Sequence, residues 1–184
     1  MHEIDENPRE TAVGRDVAGA SEPTRLERLL FRLEAQHRCL NWAFGEIAGR
    51  SGPVLELGLG HGRTFDHMRR HLPGRDIFVF DREIDCFPDC TPDAEHLILG
   101  KLSDTLPEAR YRFGGKAVLV NSDVGTYDEA INAEIAEVVS GALPALLAPG
   151  AIVLSDLPLT LSNAKAVPLP HAVRSERYFV YRSL

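Results

Sequence analysis

The chain has 184 residues, 44% hydrophobic and 26% charged, with a formal net charge of −7; that is apolar material enough for one continuous core, and the acidic balance argues against a nucleic-acid partner, even though Arg69, Arg70 and Arg75 cluster locally. The three cysteines, Cys39, Cys86 and Cys90, form no even disulfide framework and fit a reducing cytosol. No apolar run reaches the ~20 residues of a membrane helix, so the expected location is cytoplasmic, with no membrane partner.

Residues 1–21 are acidic and rich in small residues, which predicts a disordered tail before a single domain over 22–184. Pro23 opens a helix, and Leu26, Leu29, Leu30, Leu33, Leu40, Phe44 and Ile47 recur at helical spacing until Gly49 and Ser51-Gly52-Pro53 end it. Its apolar side is expected to lie over the sheet that follows. Val54–Leu57 reads as a buried strand, Thr64–Leu72 as a helix and Ile77–Phe80 as a second strand. Leu97–Leu99 is a third strand, followed by a helix over Ser103–Tyr111, and Ala117–Val120 is a fourth. A long helix over Asp128–Leu147, a fifth strand over Ala151–Leu154 and a terminal strand over Tyr178–Tyr181, paired with Ala166-Val167, complete the pattern. Aliphatic strands alternating with helices predict a mostly parallel sheet covered on both faces. Asp85–Asp93, with two prolines, and the short Leu157–Lys165 link leave little room for helices.

The chemistry concentrates after the first strand, in a loop running from Glu56 to Thr64. Gly58-Leu59-Gly60-His61-Gly62 between strand and helix presents backbone N–H groups to a ligand. The dinucleotide fingerprint GxGxxG would want Gly or Ala where Arg63 stands. Glu56, two residues before Gly58, suits a ligand with an ammonium or sulfonium group and sits badly beside a pyrophosphate. Asp81 ends the second strand, placed to accept both hydroxyls of a ribose. Cys86 and Cys90 are spaced CxxxC with His96 beyond, but the spacing is wide for a zinc knuckle and no second ligand pair is visible, so no metal is expected.

Val54–Gly62 resembles motif I of class I S-adenosylmethionine (SAM)-dependent methyltransferases, Asp81 resembles their acidic residue after the second strand, and Leu147–Asp156 resembles their fifth-strand motif. The helix leading into the loop and the Arg177–Arg182 ending are similar to a small proteobacterial SAM-methyltransferase family of unassigned substrate. The resemblance implies a three-layer αβα Rossmann-like fold, with an antiparallel C-terminal strand and shortened later helices. It implies S-adenosyl-L-methionine as cofactor, with Gly58, Gly60 and Gly62 at its methionine part, Leu59 and Thr64 also in its binding loop, and Glu56 orienting its amino group, directly or through water. Asp81 would take the ribose, Arg82 would lie against the adenine, Gly100, Lys101 and Leu102 would line it, and Asn121 would face the methyl group. For Gly62 the alternative is close helix–strand packing, and for Lys101 a solvated charge.

Candidates for acid–base work are Asp123, Asn121 and His61; a loop histidine is more often structural, and His67 carries the same alternative. Trp42 and Phe44 are expected in the core rather than over the cofactor. Asn121-Ser122-Asp123-Val124 carries neither an Asn-Pro-Pro-Tyr nor a Pro-Cys segment, which argues against base-amino and cytosine-carbon methylation of nucleic acid and leaves a small-molecule acceptor. The rivals are a SAM-binding sensor without catalysis and a nicotinamide-dependent oxidoreductase. A homodimer through the first helix or the terminal strand stays open.

Overall fold

The computed structural model describes residues 22–173 and 178–184; the tail expected over 1–21 lies outside them. The chain begins with α1 (Arg25–Glu46), capped by Thr24, whose hydroxyl accepts from the Glu27 amide while Glu27 reaches back to the Thr24 amide. β1 (Val54–Leu57), α2 (Arg63–His71), β2 (Ile77–Asp81), β3 (Leu97–Leu99), α3 (Leu102–Phe113), β4 (Ala117–Ser122), α4 (Glu129–Ala142), β5 (Leu147–Ser155), β6 (Ala164–Ala166) and β7 (Phe179–Ser183) follow.

The strands form one sheet in the order β3-β2-β1-β4-β5-β7-β6. The first five are parallel and β7 runs antiparallel to both β5 and β6. The order reverses at β1, so a crevice opens at the carboxyl ends of β1 and β4, the place where open α/β sheets bind ligands. Buried side chains separate into two layers. Ala35, Cys39, Leu40, Ala43 and Ile47 of α1 join Phe65 and Met68 of α2 on one face, and Leu106, Ala109, Phe113, Val139 and Leu143 cover the other.

Two local outcomes differ from the sequence pattern, and the short links come out as it predicts. The helix expected to reach Leu147 stops at Ala142, because Pro144 gives a 3-10 turn over Leu143–Ala145 and β5 already begins at Leu147. Full burial in α1 starts at Ala35; Leu26, Leu29, Leu30 and Leu33 are 43–75% exposed, while Phe31 and Arg32 between them are half-buried. Between β5 and β6 no helix forms. Leu157, Leu159 and Leu161 instead alternate inward from an extended segment, and the Leu159 amide donates to the Tyr181 hydroxyl at 2.7 Å. The link after β2 is likewise short, with one 3-10 turn at Pro88–Cys90.

Candidate active site

The loop after β1 turns through three left-handed glycines, with φ of 87° at Gly58, 47° at Gly60 and 81° at Gly62. They serve different ends. A Cβ on Gly58 would stand 2.5 Å from the Asp123 carbonyl, and one on Gly62 would stand 2.5 Å from the Cys90 Cβ. At both, protein stands where a Cβ would go, so close packing by itself requires glycine there. A Cβ on Gly60 would meet nothing within 4 Å, and the residue is exposed.

Two carboxylates bracket this bend in different ways. Asp81, at the tip of β2, accepts the amides of Leu59 at 2.6 Å, Gly60 at 3.2 Å, Arg82 at 2.6 Å and Glu83 at 3.4 Å. It fixes the loop and remains half-buried at the crevice wall. Glu56 lies beneath the loop with no exposure at all. The Thr64 hydroxyl, on the first turn of α2, donates to one carboxyl oxygen, and the Asn121 amide donates to the other at 2.8 Å. Burial, with only partial relief from these two bonds, pushes the Glu56 carboxyl up to about 8, and the charges of Asp123 and Asp81 push in the same direction. Tyr178, also buried, closes this chain by donating to the Asn121 carbonyl oxygen at 3.0 Å; burial holds its own phenol well above the usual range.

The tips of β4 and β5 build the other wall. Ser122 and Ser155 are register partners, so Asp123 and Asp156 follow them side by side. Arg32 and Gln36, one turn apart on α1, both donate to Asp123, the second at 2.6 Å. Asp156 accepts the amides of Val124 at 3.2 Å and Gly125 at 2.8 Å. Burial and then the Asp123 charge raise Asp156 to about 6, against the pull of the Gly125 amide and Arg32. A Cβ on Gly125 would press against an Asp156 carboxyl oxygen, so a larger residue there would displace that carboxylate.

The other expected residues scatter in role. His61 is exposed and its ring bonds the Asp85 carbonyl at 3.1 Å, beside Phe87 in the loop after β2. Gly100 donates its amide to the Asp81 carbonyl at 2.9 Å, which brings the start of α3 next to β2; Lys101 is exposed and Leu102 packs on the core. Arg82 is exposed. Trp42 and Phe44 pack against the core, Phe44 stacking on His71. His67 bonds Asn41 and faces His37 and His71 between α1 and α2. Cys86 and Cys90 pack on Gly62, while His96 stacks on Phe78; among the described residues no group of three or more His, Cys, Asp or Glu could hold a metal ion.

Four residues of this crevice were not named as site residues from the sequence: Arg32, Gln36, Asp156 and Tyr178. The polar pair at 32 and 36 on an otherwise apolar helical side was the available signal for the first two. Asp156 ended a recognised motif, and Tyr178 lay in the terminal run that resembled the family, with nothing to mark it as a partner of Asn121.

Comparison with known proteins follows the same geometry. A family model described as S-adenosyl-L-methionine methyltransferase matches residues 23–183. The crystal structure of an S-adenosyl-L-methionine methyl transferase from Silicibacter pomeroyi is 40% identical, covers 88% of this chain and 99% of its own, and superposes with a TM-score of 0.84. The 1,6-didemethyltoxoflavin-N1-methyltransferase of Burkholderia thailandensis, solved with S-adenosylhomocysteine, shares the fold at 13% identity and a TM-score of 0.50, over 81% of this chain and 78% of its own. TrmN from Thermus thermophilus does so at 18% identity and 0.53, over 81% and 48%. None of the curated proteins matches the chain.

Proposed function

The chain belongs to the S-adenosyl-L-methionine methyltransferase family, and we propose that it holds SAM between the Gly58–Gly62 loop and Asp81 while a small-molecule acceptor enters at the tips of β4 and β5. The observation that carries this placement is Gly60: a left-handed backbone with open space beside it, flanked by a carboxylate at the ribose position. Asp81 holds the loop amides with its carboxylate and takes the ribose hydroxyls with the same group. Gly100, Lys101, Leu102 and Arg82 stand around the adenine end. Glu56 acts from below: with Thr64 and Asn121 on its two oxygens it positions the loop, and Asn121 in turn is oriented by Tyr178.

When bound, SAM supplies a methyl group already activated by positive sulfur. The protein's task is alignment and exclusion of water, which in favourable systems lower a barrier by ~7–11 kcal/mol. α1 contributes by crossing the crevice and tying Arg32 and Gln36 to Asp123. The net charge of −7 supports a small molecule over nucleic acid. Residues 22–184 act as one domain in this reading, placed in the cytoplasm; three free thiols favour that compartment. No helix of the described residues is long and apolar enough to cross a membrane. The exposed Leu26, Leu29, Leu30 and Leu33 are the face on which a homodimer would form.

The test is transfer from methyl-labelled SAM into a mixed library of small molecules, with Asp81→Ala in parallel. Label must appear in at least one acceptor and vanish in the variant. SAM bound by the wild type with no acceptor labelled would favour the sensor reading instead.

A further inference from the structure

Two thiols lie behind the cofactor loop, and the methyl-transfer reading gives them no task. Cys86 and Cys90 are joined by the 3-10 turn over Pro88–Cys90, which the Cys90 amide closes by donating to the Phe87 carbonyl at 2.8 Å. The turn brings both side chains to Gly62. A Cβ built there would stand 2.5 Å from the Cys90 Cβ and 3.2 Å from the Cys86 Cβ. The two cysteine Cβ atoms are therefore no further apart than those distances laid end to end. A disulfide spans a Cβ–Cβ separation of about 3.5–4.5 Å, which a small adjustment of the turn reaches.

The two sulfurs are unequal. Cys86 is half-buried, with its Sγ 3.4 Å from the Thr91 hydroxyl. Cys90 is buried and donates to the Asp89 carboxylate at 3.8 Å. Desolvation, then the charges of Asp89 and Asp66, raise its thiol above the ordinary value. Cys39, the third thiol, has no exposure, and burial pushes it up to about 12. A small oxidant from solvent meets Cys86 first, with Cys90 beside it to resolve the product.

The same segment supports the cofactor loop from outside. The Phe87 amide donates to the His61 carbonyl at 3.3 Å, and the His61 ring bonds the Asp85 carbonyl at 3.1 Å. Gly62 itself packs against the two cysteine Cβ atoms. Joining the sulfurs turns them away from Thr91 and Asp89 and draws those Cβ atoms together. The turn carrying Phe87 moves with them, and so does its hold on His61 and Gly62.

We propose that Cys86 and Cys90 are a reversible redox pair, which a hydroperoxide joins in a disulfide that distorts the Gly60–Gly62 bend and weakens SAM binding. This rests on the placement of SAM at that bend. The Cys86 sulfur takes one oxygen of hydrogen peroxide as the O–O bond breaks, giving a sulfenic acid and one water. The Cys90 sulfur then attacks Cys86; the S–S bond forms, the S–O bond breaks and a second water leaves with the Cys90 proton. Two electrons pass from the thiols to the peroxide, and a dithiol returns them by exchange.

The experiment treats the full chain with hydrogen peroxide, blocks the remaining thiols, and maps the digested peptides by mass. SAM affinity is measured by calorimetry before oxidation, after it, and after dithiothreitol. The peptide holding Cys86 and Cys90 is expected to lose two hydrogens, SAM affinity to fall at least tenfold, and dithiothreitol to restore it. Cys86→Ser and Cys90→Ser, each a check on the folding of the other, should keep the affinity of the reduced wild type in peroxide. Oxidation of either sulfur without a bond between them, a bond to a second chain, or an internal bond that leaves SAM affinity unchanged or tighter would each overturn the proposal. So would a loss of affinity that persists in both variants. These results leave the placement of SAM standing, whereas unchanged SAM affinity in Asp81→Ala would overturn the placement and the proposal together.

Discussion

The two halves of the crevice solve the same problem with different materials. At the tips of β1 and β2 the site is local: the Gly58–Gly62 loop, the first turn of α2 and one strand-end carboxylate. Its parts are fixed to one another by backbone amides on Asp81 and by the buried Glu56–Asn121–Tyr178 chain. At the tips of β4 and β5 the parts come from far apart, Arg32 reaching Asp123 across 91 positions of sequence. A preorganised cradle suits an invariant cofactor, because ordering costs are met during folding. A wall assembled from distant segments can vary with the acceptor while the cradle stays fixed.

The sharpest way to break this contrast is to exchange the damage. Asp81→Ala should weaken SAM binding by on the order of 100-fold in calorimetry, in line with losing charge-assisted hydrogen bonds of roughly 1.5–3 kcal/mol each. Asp123→Ala should leave SAM affinity within about threefold. Equal losses in the two variants would mean that the halves are not separate.

The glycines divide the first half further. Gly58→Ala forces a Cβ against the Asp123 carbonyl from a φ of 87° and should destabilise the fold by roughly 2–3 kcal/mol, seen as a lower denaturation midpoint. Gly60→Ala has room for its methyl group and should cost about 1 kcal/mol of stability, its main effect being loss of SAM affinity.

Glu56 sets a pH signature. Unfolded, it titrates near its ordinary 4.5; folded, it keeps its proton up to about 8. The folded state thus binds the extra proton between those values, and that contribution, whole below 4.5, is lost as pH rises through about 8, at up to about 1.4 kcal/mol per unit. Glu56→Gln keeps the shape without the titration, so its melting temperature should gain on the wild type from pH 6 to pH 9. A constant difference would show that Glu56 is ionised in the fold.

His67 gives the smallest effect and the opposite sign. Burial, then the neighbouring His71 and His37, hold it below its ordinary 6.5, while Asp66 pulls the other way. The folded state therefore resists its protonation, and stability falls as pH drops through 6.5 and below. His67→Gln should shallow the acid side of the melting-temperature profile by a degree or two.

What could be read from sequence follows the same division. Motif I, Asp81 and the parallel sheet were legible because each is a short run whose spacing is imposed by one loop or one strand. The role of Glu56 was only half legible: its position was clear, but its burial under Thr64 and Asn121 depends on β4 lying beside β1. Leu29 and Leu33 looked like core because helical periodicity reports a side of a helix, not how far the body beneath it extends. The Asp123–Arg32 pair was invisible for the complementary reason, since no local pattern links a helix turn to a strand tip so far along the chain. The alternation of Leu157, Leu159 and Leu161 explains how the later crossover dispenses with a helix.

The most direct test of the account is a crystal structure of the protein with S-adenosylhomocysteine. The prediction is a ribose whose hydroxyls lie within hydrogen-bond distance of Asp81, a methionine portion over Gly60, and sulfur turned toward Asn121 and the tip of β4. A nucleoside bound away from Asp81, or a loop in which side chains fill the space beside Gly60, would contradict it.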